Sequence, residues 1–318
     1  HSLRRRQRQM CIRDSFYTDG ILESKVYIGG VIRQIYKIGE KYVINNGSVV
    51  FFDGTNVEVS SISGVDKIAV GDVDGDLADE VIAIAGGTLY KIDDATTLDT
   101  IGTGYDDFVL AKCYSDKDKM IVAVRGGAID VLNGAGALVC NKTLGDYIVD
   151  ISTTIRYSDD AVIMIYQNGS SYHVGYMFDG SIYESQEYIS PYPQKIVGMD
   201  YDGNDVGDIA AVFSDGTIRI LTYDSDEGSI VDVGLSYTVS SDIQYLESAY
   251  LDSDNKSELI LGLYDASKYY ILLLDDDLST VYSDITGGPI YTTSSLDIDG
   301  DGATEILLGM SGLEYLNK

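Results

Sequence analysis

The strongest constraint on the fold of this chain is a short turn that recurs seven times along it. Each time, an apolar stretch ends in a tight turn built around Gly or a polar residue, and the turns lie at residues 46, 86, 126, 168, 215, 265 and 311. The Asn-Gly, Gly-Gly and Asp-Gly pairs among them supply the positive φ angles that a two-residue β-hairpin needs. A repeat of about 20 to 50 residues is typical of solenoids and propellers.

The sequence between the turns has the alternating pattern of β-strands. A short alternating strand follows the turn, as in TLYKI at 88–92 and TIRIL at 217–221, and an apolar strand precedes it, as in KIAVGD at 67–72. Each unit has room for four strands, there are 3 Pro in 318 residues, and the apolar residues show no helical period. These features predict an all-β fold, a seven-bladed β-propeller of four-stranded blades.

The two ends of the chain predict how the ring closes. The last unit has strands near 289–297, 303–309 and 312–317 but no fourth, outer strand. The N-terminal stretch ILESKVYIGG precedes the first complete inner strand. We expect a strand over about 21–29 to pair beside 312–317, which would complete the last blade and remove an exposed edge. The alternative is an open array of repeats.

The first fifteen residues, HSLRRRQRQMCIRDS, differ from the rest of the chain. They contain five of its 22 Lys and Arg residues. The segment resembles a translated sequencing adapter joined to a metagenomic gene fragment, and the alternative is a basic tail for nucleic acid or anionic lipid. We therefore exclude residues 1–15 as an artefact or a disordered tail and expect a single propeller domain over 16–318. A signal peptide of the intact gene would then have been lost.

Charge limits the partners that the chain can bind. The formal net charge is −29, and it becomes more negative without the first fifteen residues. Such a chain is repelled by phosphate backbones and anionic lipid surfaces, so we expect no nucleic-acid partner. No stretch approaches the roughly 18 apolar residues of a transmembrane helix, so we expect no direct membrane insertion.

Three units carry an acidic nine-residue loop between their first and second strands: DVDGDLADE at 72–80, DYDGNDVGD at 200–208 and DIDGDGATE at 297–305. Odd spacing in a turning loop can point several oxygens inward, and Ca²⁺ takes six to eight oxygen ligands. An EF-hand would need twelve residues and flanking helices, whereas these flanks are strands. We therefore predict about three Ca²⁺ sites. The expected ligands at positions 1, 3, 5 and 9 are Asp72, Asp74, Asp76, Glu80, Asp200, Asp202, Asn204, Asp208, Asp297, Asp299, Asp301 and Glu305.

With these loops and this repeat length, the chain resembles the FG-GAP or VCBS repeat propellers of integrin α-subunit heads and many microbial surface proteins. The family pattern is DxDxDGxxD, whereas here Gly follows the second acid and position 9 is Glu in two loops. The resemblance covers roughly residues 20–318. It implies calcium between the first two strands of a blade, an extracellular or cell-surface location, and a role in binding or adhesion.

Other units keep parts of the acidic loop. The stretch LDSDNKSELILG at 251–262 keeps Asp252, Asp254 and Glu258 but is two residues shorter and lacks the third acid, so whether it binds an ion stays open. The stretches at 114–120 and 157–162 keep little of the charge, and Lys117 and Lys119 would oppose a cation. We predict metal-free turns there.

Little in the sequence favours catalysis. Apart from His1 the chain has one histidine, His173, and it shows no Gly-x-Ser-x-Gly motif, phosphate loop or Cys/His cluster. We expect a non-catalytic, extracellular or cell-surface scaffold for protein or glycan partners. One alternative is an accessory propeller domain of a larger secreted carbohydrate-active enzyme, such as a polysaccharide lyase. Another is an enzyme that uses its central channel, but the innermost strands are expected to offer mostly Ile, Val, Ala and Ser.

Overall fold

The structure is a computed structural model that describes residues 14–18, 21–26, 31–39, 41–53, 55–114, 118–156, 159–252, 254–296, 305–309 and 313–316. The first two strands, β1 (Asp14–Thr18) and β2 (Ile21–Val26), form a hairpin with each other. The strands that follow pair antiparallel and in chain order, as the hairpin turns predicted. None of the described residues forms a helix long and apolar enough to cross a membrane.

Three four-stranded sheets, which we call blades 1 to 3, come first in the chain. Blade 1 comprises β3 (Gln34–Ile38), β4 (Lys41–Asn45), β5 (Val49–Phe52) and β6 (Val57–Val59). Blade 2 comprises β7 (Val65–Gly71), β8 (Glu80–Ala85), β9 (Thr88–Ile92) and β10 (Leu98–Thr103). Blade 3 comprises β11 (Asp107–Ala111), β12 (Met120–Arg125), β13 (Ala128–Leu132) and β14 (Leu138–Thr143).

Three further blades and one shorter sheet complete the set. Blade 4 comprises β15 (Tyr147–Arg156), β16 (Asp159–Asn168), β17 (Ser171–Phe178) and β18 (Ser181–Glu184). Blade 5 comprises β19 (Pro193–Met199), β20 (Asp208–Phe213), β21 (Thr217–Asp224) and β22 (Ser229–Thr238). Blade 6 comprises β23 (Asp242–Ala249), β24 (Glu258–Asp265), β25 (Lys268–Leu274) and β26 (Thr280–Thr286). The last sheet has three strands, β27 (Thr292–Leu296), β28 (Glu305–Gly309) and β29 (Leu313–Leu316).

The sheets are arranged around a central axis. The first strand of blade 1 contacts the first strand of blade 2, and the same kind of contact links each sheet to the next. The series closes, because β27 contacts both β23 of blade 6 and β3 of blade 1. The fold is therefore an all-β propeller, with the first strand of each blade innermost.

The prediction of seven four-stranded blades is wrong. Across the described residues there are six four-stranded blades, and the sheet of β27 to β29 has three strands. Strand β2 was expected to complete that sheet, but its backbone groups are paired with β1 instead. Residues 27–29, the remainder of the expected closing strand, lie outside the described residues.

Strand β1 also includes Asp14 and Ser15, two residues of the segment that we assigned to an artefact or a tail. Residues 1–13 lie outside the described part of the chain. The division of the chain into residues 1–15 and a domain over 16–318 therefore stays a prediction.

Apolar clusters between neighbouring blades form the core. Tyr176 and Phe213, for example, pack in the cluster between blades 4 and 5 and are almost fully buried. All six residues of β20 are buried, whereas nearly all of the outer strand β26 is exposed. Burying a large aliphatic or aromatic side chain contributes roughly 1.5–3 kcal/mol. The second strands therefore appear in the sequence as continuous apolar runs, because both of their faces are covered.

Candidate metal centre

The acidic loops join the first strand of a blade to its second strand. In blade 2, Gly71 pairs with Glu80, so the residue before the loop lies opposite the ninth loop residue. Met199 and Asp208 form the same pair in blade 5. Because each blade repeats one strand order around the ring, these loops emerge on the same face of the propeller, which we call the loop face.

The blade 6 loop has the same length as the other two, contrary to our reading of the sequence. Ala249 pairs with Glu258, which makes Glu258 the ninth residue and Tyr250 the first. Counting from the first acid, Asp252, makes the loop two residues too short, because Tyr250 replaces the acid found at position 1 of the other loops. Leu296 pairs with Glu305 in the last sheet, so its loop is closed by an equivalent pair.

The loops of blades 2, 5 and 6 also share internal hydrogen bonds. The N–H of position 7 donates to the side-chain oxygen of position 5 in each case: Ala78 to Asp76 at 2.8 Å, Val206 to Asn204 at 2.6 Å, and Lys256 to Asp254 at 2.9 Å. Position 6 adopts a positive φ in each loop, with 71° at Leu77, 60° at Asp205 and 64° at Asn255. The loops therefore have one backbone conformation despite their different sequences.

Each loop ends in a carboxylate that enters the protein interior. Glu80, Asp208 and Glu258 are 5%, 0% and 1% exposed. Each accepts a hydrogen bond from the N–H of position 2: from Val73 at 3.0 Å, from Tyr201 at 3.2 Å and from Leu251 at 2.6 Å. Burial raises the pKa of all three carboxyl groups, to about 7 for Asp208 and Glu258. A buried carboxylate of this kind needs a compensating positive charge or a proton.

The blade 5 loop has the donor set that best fits a cation. Carboxylate oxygens of Asp200, Asp202 and Asp208 lie within 4.8 Å of one another. Since calcium binds oxygens at about 2.3–2.6 Å, two ligands of one ion are at most roughly 5 Å apart. Within the described residues, Oδ1 of Asp208 is buried and has no hydrogen-bond partner. Burial raises the pKa of Asp208 by more than the nearby Thr222 hydroxyl and the Tyr201 N–H lower it, although Thr222 makes no geometric hydrogen bond to Oδ1. The orphaned oxygen is the ligand position that a cation would fill.

The loop is folded around Asp200, which is 1% exposed. Its carboxylate accepts N–H groups from Gly203 at 2.8 Å, Asn204 at 3.2 Å and Asp205 at 3.0 Å. The Asn204 amide donates to Oδ2 of Asp202 at 2.9 Å, and its own Oδ1 accepts the N–H of Val206. Three of the four predicted ligands of this loop are therefore brought together.

In the blade 2 loop, unlike the blade 5 loop, a lysine side chain neutralises part of the negative charge of the acidic cluster. Asp72, Asp74 and Glu80 have oxygens within 4.8 Å of one another, whereas Asp76 is outside this group. The Lys91 ammonium group lies 2.6 Å from Oδ2 of Asp74. Their hydrogen bond lowers the pKa of Asp74 and raises that of Lys91. A protein cation therefore already compensates part of this cluster.

The third predicted site lies mostly outside the described residues. Asp297, Asp299 and Asp301 are not among them, and Glu305 is described only as the first residue of β28. Parts of the loops at 114–120 and 157–162 also fall outside, so the prediction that they are metal-free stays a prediction.

A further cluster includes a residue that sequence reasoning missed. Oxygens of Asp252, Glu258 and Asp275 lie within 4.8 Å of one another, and Asp254 is not in the group. Asp275 comes from the turn between β25 and β26, not from the loop. The available signal was the run of three Asp residues at 275–277, directly after the apolar strand β25.

The central channel is more polar than predicted. Innermost strands were expected to offer mostly small and aliphatic residues, but several carry half-buried titratable or hydroxyl side chains. Lys67 pairs with Asp107 at 2.8 Å, and the Tyr245 hydroxyl donates to Glu247 at 3.1 Å. Burial raises the pKa of Glu247. Burial also raises the pKa of Asp150, in this case to about 6. A pocket of about 380 Å³ lies here, and its lining includes Arg33, Tyr36, Tyr245, Glu247, Tyr291 and Thr293.

No family model matches this chain, and no curated protein matches it. Resemblance to FG-GAP or VCBS repeats is therefore not confirmed at the level of the family.

Solved structures match it in fold. One is BBS1N, solved in complex with ARL6DN and soaked with lead: the TM-score is 0.67 at 13% identity, with 96% of each chain covered. A chain of the yeast Nup82-Nup159-Nup116 nucleoporin complex has a TM-score of 0.56 at 8% identity, with 89% of this chain and 97% of that chain covered. Streptogramin B lyase has a TM-score of 0.60 at 12% identity, with 90% and 94% covered. At these identities the likeness shows the propeller fold.

Proposed function

We propose that this chain is a non-catalytic, calcium-binding propeller that acts as an extracellular or cell-surface scaffold for protein or glycan partners. One observation supports the calcium site above the others. The carboxylate of Asp208 is fully buried, its Oδ1 has no partner among the described residues, and it lies beside Asp200 and Asp202. Leaving such a group without compensation costs free energy, and a bound cation would remove that cost.

Asp200, Asp202 and Asp208 would hold the ion, and the backbone carbonyl of Val206 at position 7 is a further candidate ligand. The bound cation supplies positive charge that stabilises the folded loop. With a Kd of ~10–100 µM and ~1 mM calcium, mass action stabilises the fold by roughly 1.4–2.7 kcal/mol per site. Domain stability is roughly 5–15 kcal/mol, so two or three such sites would contribute a large share of it.

The ion class and the proposed location follow from the same chemistry. Flexible loops with several carboxylates suit Ca²⁺, whereas Mg²⁺ is smaller, requires near-octahedral geometry and usually keeps several waters. Sites with a Kd of ~10–100 µM fill at the millimolar calcium found outside cells and stay largely empty at cytosolic levels. This supports an extracellular or cell-surface setting.

A rigid propeller with ordered loops on one face is suited to binding other molecules. Two of the structural neighbours were solved in complexes with proteins, namely BBS1N with ARL6DN and the Nup82-Nup159-Nup116 assembly. This supports a protein partner here.

The alternative is an accessory propeller domain of a larger secreted carbohydrate-active enzyme, such as a polysaccharide lyase. The sequence of the intact gene separates these readings, because a fused catalytic domain would be visible in it.

A second candidate function is ligand binding or catalysis in the central channel. It is favoured by the pocket that Glu247 lines. Burial raises the pKa of Glu247 there, and the Tyr245 hydroxyl donates a hydrogen bond to its carboxylate. A glycan array probed with the wild type and with Glu247→Gln tests it. Glycan binding that the substitution abolishes would support the channel, and binding that it leaves unchanged would place the partner elsewhere.

The calcium proposal is tested by thermal unfolding of the full chain in excess EDTA and then in 1 mM CaCl₂, with MgCl₂ as a control. We expect a calcium-specific rise in Tm of several degrees, because about 1 kcal/mol shifts Tm by roughly 2–4 °C in domains approaching this size. Equal shifts with both ions would reject calcium specificity, and no shift would reject the metal sites.

A further inference from the structure

The blade 6 loop lacks an acid at its first position, where the blade 2 and blade 5 loops have one. Tyr250 is found there, and blade 2 and blade 5 have Asp72 and Asp200 at the same place. An oxygen of Asp275, the first residue after β25, lies within 4.8 Å of oxygens of Asp252 and Glu258. Backbone hydrogen bonds from Asp275 to Ser279 and from Leu278 to Asp275, both 2.9 Å, fix the turn that positions this carboxylate. A neighbouring turn thus supplies a third carboxylate.

Glu258 gives an independent indication of a ligand. It is 1% exposed, and Oε2 accepts the N–H of Leu251 at 2.6 Å. Its other oxygen, Oε1, is buried without a hydrogen-bond partner in the described part of the protein. Since buried polar oxygens are nearly always paired, this oxygen requires an explanation, and an ion bound by the cluster provides one.

The basic residue of this loop does not take the place of the ion. Lys256 pairs with Asp276 at 2.5 Å, and Asp276 is outside the cluster. In blade 2, by contrast, Lys91 pairs with Asp74, which is a member of its cluster. The blade 6 cluster is therefore the less neutralised of the two.

The blade 5 and blade 6 loops are bonded to each other. The N–H of Ser257 donates to the carbonyl of Asp200 at 2.8 Å, and the N–H of Asp200 donates to Oγ of Ser257 at 3.0 Å. Both residues are buried, at 3% and 1% exposure. Ser257 directly precedes Glu258, so this pair of hydrogen bonds connects a candidate ligand of one loop with a candidate ligand of the other.

We propose that Asp252, Glu258 and Asp275 form a second divalent-cation site in blade 6, and that Ser257 couples it to the blade 5 site so that the two bind Ca²⁺ cooperatively. The inference rests on the proposed calcium site at Asp208. An ion at either site orders Asp200 or Glu258, and the shared hydrogen bonds pass part of that ordering to the neighbouring loop. The second ion then meets a lower ordering cost, which is positive cooperativity. Coupling between sites is reciprocal and typically amounts to about 5- to 150-fold in affinity.

The experiment is a calcium titration of the full chain, with native mass spectrometry to count ions and calorimetry to measure affinities. The variants are Asp208→Asn, Asp275→Asn, the double variant, and Asp277→Asn as a control. Asp277 is in the same turn as Asp275, but its Oδ1 accepts the N–H of Ser279 at 2.8 Å and it is outside the cluster. We expect Asp208→Asn and Asp275→Asn each to remove one ion, the double variant to remove two, and Asp277→Asn to remove none.

Cooperativity is read from the remaining ions. Each single variant should weaken the ion at the other site by about fivefold or more, and by the same factor in both directions. In a Ser257→Ala background, which removes the bond to Oγ but keeps the backbone N–H bond to Asp200, these cross-effects should become smaller while both ions still bind. An unchanged ion count in Asp275→Asn would overturn the blade 6 site, and independent affinities in the two single variants would overturn the coupling. If Asp208→Asn removed no ion, the proposed function itself would fail, whatever the result at Asp275.

Discussion

In blade 2 the ammonium group of Lys91 lies 2.6 Å from Oδ2 of Asp74, at the third position of an acidic loop. The loop has the same backbone conformation as the blade 5 loop, but part of its negative charge is already compensated by this lysine. Two loops of similar sequence pattern therefore differ in how much a cation would gain by binding.

Replacing Lys91 with Gln should strengthen calcium binding at the blade 2 loop. We expect its Kd to fall by roughly three- to tenfold at low salt, because the ion no longer competes with an ammonium group for Asp74. Calorimetric titration of the full chain measures the change. Lys67→Gln is the matched control, since it breaks a 2.8 Å ion pair with Asp107 in the channel. Equal affinities in Lys91→Gln and wild type would show that Lys91 does not compete with the ion.

Gly207, the eighth residue of the blade 5 loop, lies against the edge of blade 4. A Cβ there would lie 2.0 Å from Oγ1 of Thr154 and 2.1 Å from the carbonyl oxygen of Ile155. Gly207→Ala should therefore lower the free energy of unfolding by about 1–3 kcal/mol, because the backbone must move to relieve the overlap. Urea unfolding measures the loss. Gly71→Ala should cost much less, since its Cβ would approach the flexible side chain of Lys119 at 3.0 Å and make an ordinary contact with Leu110 at 3.6 Å. Equal losses in the two variants would contradict this account.

Leu77 has a φ of 71°, a strained backbone conformation for this residue, and it is 94% exposed. Burial of its side chain therefore does not offset the strain. Asn tolerates this conformation better, and Asn255 holds the same position in blade 6. Leu77→Asn should raise the free energy of unfolding by about 0.5–1 kcal/mol, measured by urea unfolding in EDTA. Leu138→Asn serves as the control, because Leu138 is 60% exposed in the strand β14. A gain in the control but not in Leu77→Asn would refute the strain.

Asp150 provides a pH prediction that is independent of the metal loops. Burial raises its pKa from 3.8 to about 6, although the Ile196 N–H and the nearby Lys67 and Lys195 favour the charged form. A raised pKa means that ionisation destabilises the folded state. The cost is absent below about pH 4, grows between pH 4 and 6, and is complete above pH 6.

Asp150→Asn cannot ionise, so its stability relative to wild type should improve as the pH rises. We expect a gain of about 1–2 kcal/mol between pH 4 and 7.5, less than the full pKa shift implies because the channel partly solvates the carboxyl group. Urea unfolding at several pH values in EDTA gives the difference. Asp226→Asn, at an exposed turn, should show no such trend. A constant difference between Asp150→Asn and wild type would disprove the assigned shift.

The repeat architecture was accessible from the sequence because hairpin turns act locally. Gly86 and Gly87 both adopt positive φ between β8 and β9, as the Gly-Gly pair predicted. The acidic loops were also placed correctly between first and second strands. The pairing partner of β2 was not predicted correctly, because an alternating pattern identifies a strand but does not identify the strand with which it pairs.

The site was predicted less completely for two physical reasons. Tyr250 hid the length of the blade 6 loop, since counting from the first acid gave the wrong register. Asp275 contacts the loop only through the tertiary fold, from a turn 17 residues after Glu258.

The polar channel was missed because Lys67 and Asp150 alternate with aliphatic residues on innermost strands, and we weighted the aliphatic ones.

The most direct test of the calcium assignment is long-wavelength diffraction from crystals of the full chain grown in millimolar CaCl₂. We predict an anomalous peak about 2.3–2.6 Å from carboxylate oxygens of Asp200, Asp202 and Asp208. A map with no peak there, and with Oδ1 of Asp208 hydrogen-bonded to water or protein, would contradict the central claim that this loop binds calcium.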